Sequence, residues 1–192
     1  MDWFNYYGLI IMAIIMLPNI VYAVKHKDDA SATYNNKAVI IAEQIGRYGC
    51  FAFMIFNIPY SYFNFWFNNA LIVYLSVNGA LCLAYLVFWV LCWNSCGKLR
   101  ALSLSIIPSC IFLFSGIVLA NIPLIVFAVI FTVNHILVSY KNAVETTRRK
   151  KTNRKVNYKD IILLLFVIFL FVLAVVGVIF GADTGNGAFP LD

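Results

Sequence analysis

Two ionisable side chains interrupt an apolar stretch of the sequence. Glu43 and Arg47 stand four residues apart in AEQIGRYGCF, residues 42–51. On an α-helix this spacing puts both side chains on one face, with the glutamate nearer the N-terminus, the more favourable order for an ion pair. An arginine inside a membrane costs about 2.5–3.5 kcal/mol on insertion scales. The pair therefore indicates a solute or ion site, a structural ion pair between helices, or a helix lying on the cytoplasmic membrane surface.

Polar residues in other apolar segments lie at a similar distance from the segment ends. Asn19 and His135 are each five residues from an end, or about 8 Å at 1.5 Å per residue. A shared layer on one side of a membrane would make these side chains a binding site, and His135 beside Glu43 could relay protons. The predicted solute-binding residues are Glu43, Arg47, Asn19, Asn134, His135, Ser103 and Ser105.

These polar residues also have a purely structural interpretation. Serine often bonds the backbone of its own helix, and asparagine can bridge two helices for about 0.6 kcal/mol. Motifs for enzyme chemistry are missing from the sequence, including HExxH, GxSxG, the P-loop and paired intramembrane aspartates. Cys92 and Cys96 form a lone CxxxC without clustered histidines, which is weak evidence for a metal. We expect no catalytic residues, no metal and no cofactor.

The composition identifies the class of protein that must position these residues. Of the 192 residues, 63% are hydrophobic and 11% charged, against about 45–50% and 25% in soluble domains. A helix needs about 20 apolar residues to cross a bilayer core. The sequence predicts an all-α bundle of six transmembrane helices in one domain, residues 1–192. The predicted spans are residues 6–24, 38–58, 69–93, 101–120, 122–140 and 161–181.

The basic residues predict the orientation of these spans. Every lysine and arginine except Arg47 lies in residues 25–37, 94–100 or 141–160. Six spans put these three segments on one side, which the positive-inside rule assigns to the cytoplasm. Both termini then lie outside, and the Gly-rich residues 182–192 form a flexible external tail. Basic residues placed between apolar segments indicate topology rather than nucleic-acid binding, despite the net charge of +6.

Two segments predict contacts with partners. The basic cytoplasmic loop 141–160 should attract anionic lipid head groups, at about 1 kcal/mol per basic residue. Gly177 and Gly181 form a GxxxG pair that allows close helix approach, in a homodimer or with another membrane protein. The predicted lipid-contacting residues are Arg148, Arg149, Lys150, Lys151, Arg154 and Lys155.

Four stretches carry a resemblance to a known group of proteins: LPNIVYAVKHKD, EQIGRYGCFAFMIFNIP, ALSLSIIPSCIFLFSGI and NHILVSYKN. Together they resemble small uncharacterised polytopic membrane proteins of low-GC Gram-positive bacteria, over about residues 10–142. That group has no assigned activity, so the resemblance implies a bacterial plasma membrane and no mechanism. The size and six-span layout also look like those of the substrate-binding subunits of vitamin uptake transporters, but this likeness is architectural only.

Two functions are compatible with these features. The first is a non-enzymatic membrane protein that binds or transports a small solute through the cytoplasmic-side polar layer. The alternative is a structural or regulatory membrane subunit, in which the polar residues hold helices together and loop 141–160 contacts lipid or a partner. A cavity beside Glu43 would favour the first, and a dry, packed core the second.

Overall fold

The computed structural model describes residues 3–25, 34–61, 65, 67–92 and 98–150. Its regular elements are five helices, each long and apolar enough to cross a membrane. They are α1 (Tyr6–Lys25), α2 (Lys37–Ile55), α3 (Ala70–Leu91), α4 (Lys98–Val118) and α5 (Ile122–Lys150). The all-α class and the first five predicted spans agree with this arrangement. The sixth predicted span with Gly177 and Gly181, the tail 182–192, and Lys151, Arg154 and Lys155 lie outside the described residues.

Helix α5 is longer than its apolar segment. It has 29 residues, which corresponds to about 43 Å at 1.5 Å per residue. Residues 141–150, expected to begin a loop, instead continue the helix, and Arg148, Arg149 and Lys150 belong to its last turn. The physical reason is local, because KNAVETTRRK has no glycine or proline and contains several good helix formers. The end of an apolar segment therefore predicts where a helix leaves a membrane, and the helix itself can continue beyond that point.

Asparagine caps fix the start of three helices. The side-chain oxygens of Asn5, Asn36 and Asn121 accept hydrogen bonds from the backbone N–H groups of Gly8, Ala38 and Leu124. Each cap satisfies a donor that has no partner within its own helix. The Asn121 side chain also donates to the Phe53 carbonyl at 3.1 Å. This second bond ties the start of α5 to α2.

The bundle places α5 between α2 and α4, while α3 packs on α4 and α1. Helix α2 approaches α5 closely through Gly46, where an added Cβ would lie 2.7 Å from the Phe131 backbone nitrogen. The buried face of α2 carries Glu43, Gly46, Cys50 and Met54. On the opposite side, Ile45 is 54% exposed, as suits a helix whose outer face meets lipid. Helix α2 is continuous, and Glu43 on its inner face is buried against the other helices.

Contacts at the two ends of the bundle show which segments lie together. At one end, the Tyr34 backbone N–H donates to Oδ1 of Asn142 at 2.9 Å. Near the same end, the rings of Tyr22 and Trp89 meet at 5.2 Å, which brings the C-terminal parts of α1 and α3 together. At the other end, the Ile122 N–H donates to the Ser61 carbonyl at 3.3 Å. The C-terminal ends of α1, α3 and α5 thus share one end of the bundle with the N-terminal end of α2.

Candidate functional site

Glu43 is the centre of a polar cluster formed by α2 and α5. Its Oε1 accepts a hydrogen bond from Nη2 of Arg47 and lies 2.8 Å from Nδ1 of His135. A carboxylate paired with a guanidinium is ionised and can only accept hydrogen bonds, so the imidazole proton of this contact belongs to Nδ1. Nε2 of His135 is then left for other partners. The three residues form one connected unit rather than an isolated ion pair.

Phe131 supports the other two members of this cluster. The His135 ring stacks on the Phe131 ring, with centroids 4.6 Å apart and planes 18° apart. The guanidinium carbon of Arg47 lies 6.0 Å from the centroid of the same ring, within the range of a cation–π contact. Gly46 allows this geometry, because a side chain there would collide with the Phe131 backbone. The aromatic ring therefore fixes the orientation of both nitrogen-bearing side chains.

The cluster borders a cavity of about 220 Å³. All five helices contribute to its wall, which is formed by Ile15, Met16, Asn19, Arg47, Phe51, Tyr85, Leu104, Pro108, Phe112, Phe131 and His135. This volume is about seven times the 30 Å³ that one molecule occupies in liquid water. A small organic molecule fits such a space, whereas drug-sized ligands use about 300–1,000 Å³.

The three polar residues of the cluster differ in how much of each side chain is exposed. The side chains of Arg47 and His135 are 32% and 19% exposed, while that of Glu43 is 5% exposed. Glu43 is also missing from the cavity wall. The carboxylate thus holds its two partners from outside the cavity wall. The guanidinium and the imidazole belong to residues of the wall, where a ligand would lie. A guanidinium carries five N–H donors, and the contact with Glu43 is made through Nη2.

A second polar contact lies in the cavity wall formed by α1 and α3. The Asn19 side-chain amide donates to the Tyr85 hydroxyl at 2.9 Å and to the Ile15 carbonyl at 3.1 Å. Sequence analysis did not select Tyr85, although a tyrosine within an apolar span usually needs a partner for its hydroxyl group. Its position also gave a signal, because Tyr85 and Asn19 are each six residues from the C-terminal end of their helices.

Besides Glu43, three of the predicted site residues are absent from the cavity wall. Asn134 donates to the Ile130 carbonyl at 2.7 Å, and Ser105 donates to the Ala101 carbonyl at 2.6 Å, each within its own helix. Ser103 is 1% exposed and buried away from the wall. Adjacent helix residues point about 100° apart, so Asn134 and His135 cannot both face the same cavity. Of the seven predicted residues, the structure brings together Glu43, Arg47 and His135, with Asn19 in the same wall.

The chemistry of the wall is that of a binding site. Hydrogen-bonding side chains are presented by Arg47, His135, Asn19 and Tyr85, and the remaining wall residues are apolar. The described wall holds no serine, cysteine or aspartate that would act as a nucleophile. Comparison with protein families, with curated proteins and with solved structures finds no match to this chain.

Proposed function

We propose that this chain is a six-span protein of a bacterial plasma membrane that binds, and passes, a small solute in the cavity beside Glu43. Both termini lie outside the cell in this proposal, and the basic segments lie in the cytoplasm. The observation that carries it is the cavity itself, which all five described helices line and which Arg47 and His135 face. The proposed activity is non-enzymatic.

The position of the cavity along the bundle supports this proposal. Asn19 and Tyr85 lie six residues before the ends of α1 and α3, about 9 Å along a helix axis. Those ends are on the side of the bundle that carries the basic segments. The solute site therefore belongs to the half of the membrane nearer the cytoplasm. A solute entering from the cytoplasm would therefore cross only part of the bilayer to reach this site.

The arrangement of charge favours a binding role over a purely structural one. A structural ion pair is most stable when both partners are enclosed, because each uncompensated charge in a membrane is costly. Here the carboxylate is enclosed, and a third of the Arg47 side chain remains exposed. An arginine held in this way, beside an unfilled volume, is arranged for contact with a further molecule.

Filling the cavity tests the proposal directly. Leu104 is in the wall, so Leu104→Trp should occupy the solute space. Leu83 is 65% exposed on the outside of α3, and Leu83→Trp is the matched control. We expect a screen of small metabolites to find a solute that stabilises the wild type and Leu83→Trp, by about 2.7 kcal/mol at one hundred times its Kd. Leu104→Trp should show no such stabilisation.

The readout is the midpoint of thermal unfolding of the purified full chain in detergent. A solute that stabilises all three proteins equally would place its binding site elsewhere. A screen in which no solute distinguishes Leu104→Trp from Leu83→Trp would contradict the proposed function.

A further inference from the structure

We propose that the solute is a small organic anion with a compact apolar body, and that one proton accompanies it, carried by His135. This inference rests on the proposed function and specifies the chemical class of its solute. It follows from three features of the cavity: the charge that faces it, the residues that surround that charge, and the balance of charge when it is filled.

The charge facing the cavity is positive. Arg47 is in the wall, whereas its counter-ion Glu43 lies behind it and outside the wall. A planar guanidinium presents paired N–H donors that match the two oxygens of a carboxylate. No described wall residue carries a negative charge. The site therefore favours an anion over a cation or a neutral solute.

The apolar residues of the wall indicate what kind of group is attached to the carboxylate of the anion. Phe51, Phe112 and Phe131 belong to the same wall as Arg47, and the rings of Phe112 and Phe131 meet edge to face at 5.6 Å. Such a surface stabilises an apolar group by removing it from water. A volume of about 220 Å³ fits a carboxylate attached to one small ring or a short branched chain. Simple inorganic anions would leave the aromatic part of the cavity unused.

Charge balance explains the proton. In the empty site the charges of Arg47 and Glu43 cancel, so an entering anion brings one negative charge into a medium of low dielectric constant, which is unfavourable. A proton added to Nε2 of His135 restores neutrality. Since Nδ1 already donates to Glu43, the new N–H at Nε2 becomes a second charged donor for the anion. No bond other than this N–H forms or breaks.

His135 is the group suited to take this proton. From α2, Glu43 contacts His135, and Arg47 lies in the same wall. From α3 the wall receives Tyr85, a phenol whose ordinary pKa is about 10. The wall residues of α1 and α4 do not titrate: they are Ile15, Met16, Asn19, Leu104, Pro108 and Phe112. Histidine is the side chain that ordinarily changes charge between pH 5 and 8. Because one proton is bound with each anion, anion binding should weaken as the pH rises.

Titration calorimetry of the purified full chain tests both parts, with benzoate as the probe and benzamide as its neutral isostere. Measurements at pH 8 in two buffers of different ionisation enthalpy give the number of protons taken up. We expect benzoate to bind with close to one proton and benzamide not to bind. Arg47→Lys, which keeps the charge and loses the planar donor pair, should weaken benzoate binding about tenfold.

Two further variants keep the test independent of misfolding. The double variant Glu43→Gln/Arg47→Gln removes both charges together, strands neither, and should lose benzoate binding by at least about a hundredfold. His135→Gln should bind benzoate weakly, with no proton uptake and no dependence on pH between 6 and 8. A cooperative melting transition of each variant without ligand would show that it is folded, whether or not its midpoint is lowered.

The outcomes separate this inference from the proposed function. Benzamide binding as tightly as benzoate would contradict the proposal that the solute is an anion. So would the absence of binding by benzoate and by smaller carboxylates such as acetate. Benzoate binding without proton uptake would overturn the role of His135. In either case a neutral or cationic solute that stabilises the wild type and not Leu104→Trp would leave the proposed function standing.

Discussion

Nδ1 of His135 lies 2.8 Å from Oε1 of Glu43, although 92 residues separate them in the sequence. The contact joins α2 to α5 at the level where Arg47 reaches the same carboxylate oxygen. One buried acceptor thus orients two cavity-facing donors, and removing it should disturb both.

The first prediction concerns the energetic coupling of Glu43 and Arg47. Glu43→Ala leaves a guanidinium without its counter-ion, and Arg47→Ala leaves a buried carboxylate with His135 as its remaining described partner. Each substitution should lower the midpoint of thermal unfolding in detergent. The double substitution should cost less than the sum of the two, by about 1–3 kcal/mol, as expected for groups in one network. Glu145→Ala, at an exposed position of α5, is the control and should have little effect. Strict additivity would mean that the two charges do not interact.

The second prediction concerns the close approach of α2 and α5. A Cβ added at Gly46 would lie 2.7 Å from the Phe131 nitrogen and 2.8 Å from its Cα, and backbone cannot move aside as a side chain can. Gly46→Ala should therefore destabilise the protein by about 1–3 kcal/mol, the usual cost of overpacking. It should also disturb the site, since Phe131 carries the stacked His135 ring.

Gly79→Ala is a matched control on another helix, because nothing lies within 4 Å of a Cβ added there. It should be neutral or stabilise α3 by up to about 1 kcal/mol, the difference in helix propensity between the two residues. Equal melting temperatures for Gly46→Ala and wild type would contradict the packing of these two helices.

The third prediction concerns the orientation of the bundle. Tyr60 is fully exposed at the end that carries the α2–α3 connection, and Glu145 is exposed near the other end, on the extension of α5. In intact cells, a membrane-impermeant thiol reagent should label Tyr60→Cys and not Glu145→Cys, each in a background with Cys96→Ser. After the cells are opened, both should react. Labelling of Glu145→Cys alone in intact cells would reverse the predicted orientation.

Much of the fold follows from hydropathy, because a bilayer requires continuous apolar segments of a set length. Counting residues from the ends of those segments also placed six polar residues in one layer: Asn19, Glu43, Ser103, Ser105, Asn134 and His135. The structure puts Asn19, Glu43 and His135 at or beside one cavity. Counting gives height along a helix but not direction around it. That is why Asn134, adjacent to His135, was predicted for the site although it bonds the Ile130 carbonyl instead.

Other features depended on information that the sequence pattern does not contain. Tyr85 enters the site because α1 and α3 are neighbours in space, and nothing in the order of segments determines which helices pack together. Gly46 is important for the same reason, since its role comes from the position of Phe131 on another helix. The extension of α5 beyond residue 140 comes from helix propensity in polar residues, which hydropathy does not measure.

The last prediction concerns the proton on His135. An ionised Glu43 accepts hydrogen bonds and cannot donate them, so the neutral imidazole should carry its proton on Nδ1 and leave Nε2 unprotonated. The chain has two histidines, and His26→Gln removes the other one, so a single imidazole remains for NMR with ¹⁵N-labelled histidine. At pH 8 the spectrum should show a protonated Nδ1 and an unprotonated Nε2. Glu43→Leu removes the acceptor and should shift the population toward the other tautomer, whereas Glu145→Leu should leave it unchanged. A proton on Nε2 and none on Nδ1 in the His26→Gln protein would mean that His135 does not donate to Glu43, and the carboxylate would then have Arg47 as its remaining described donor.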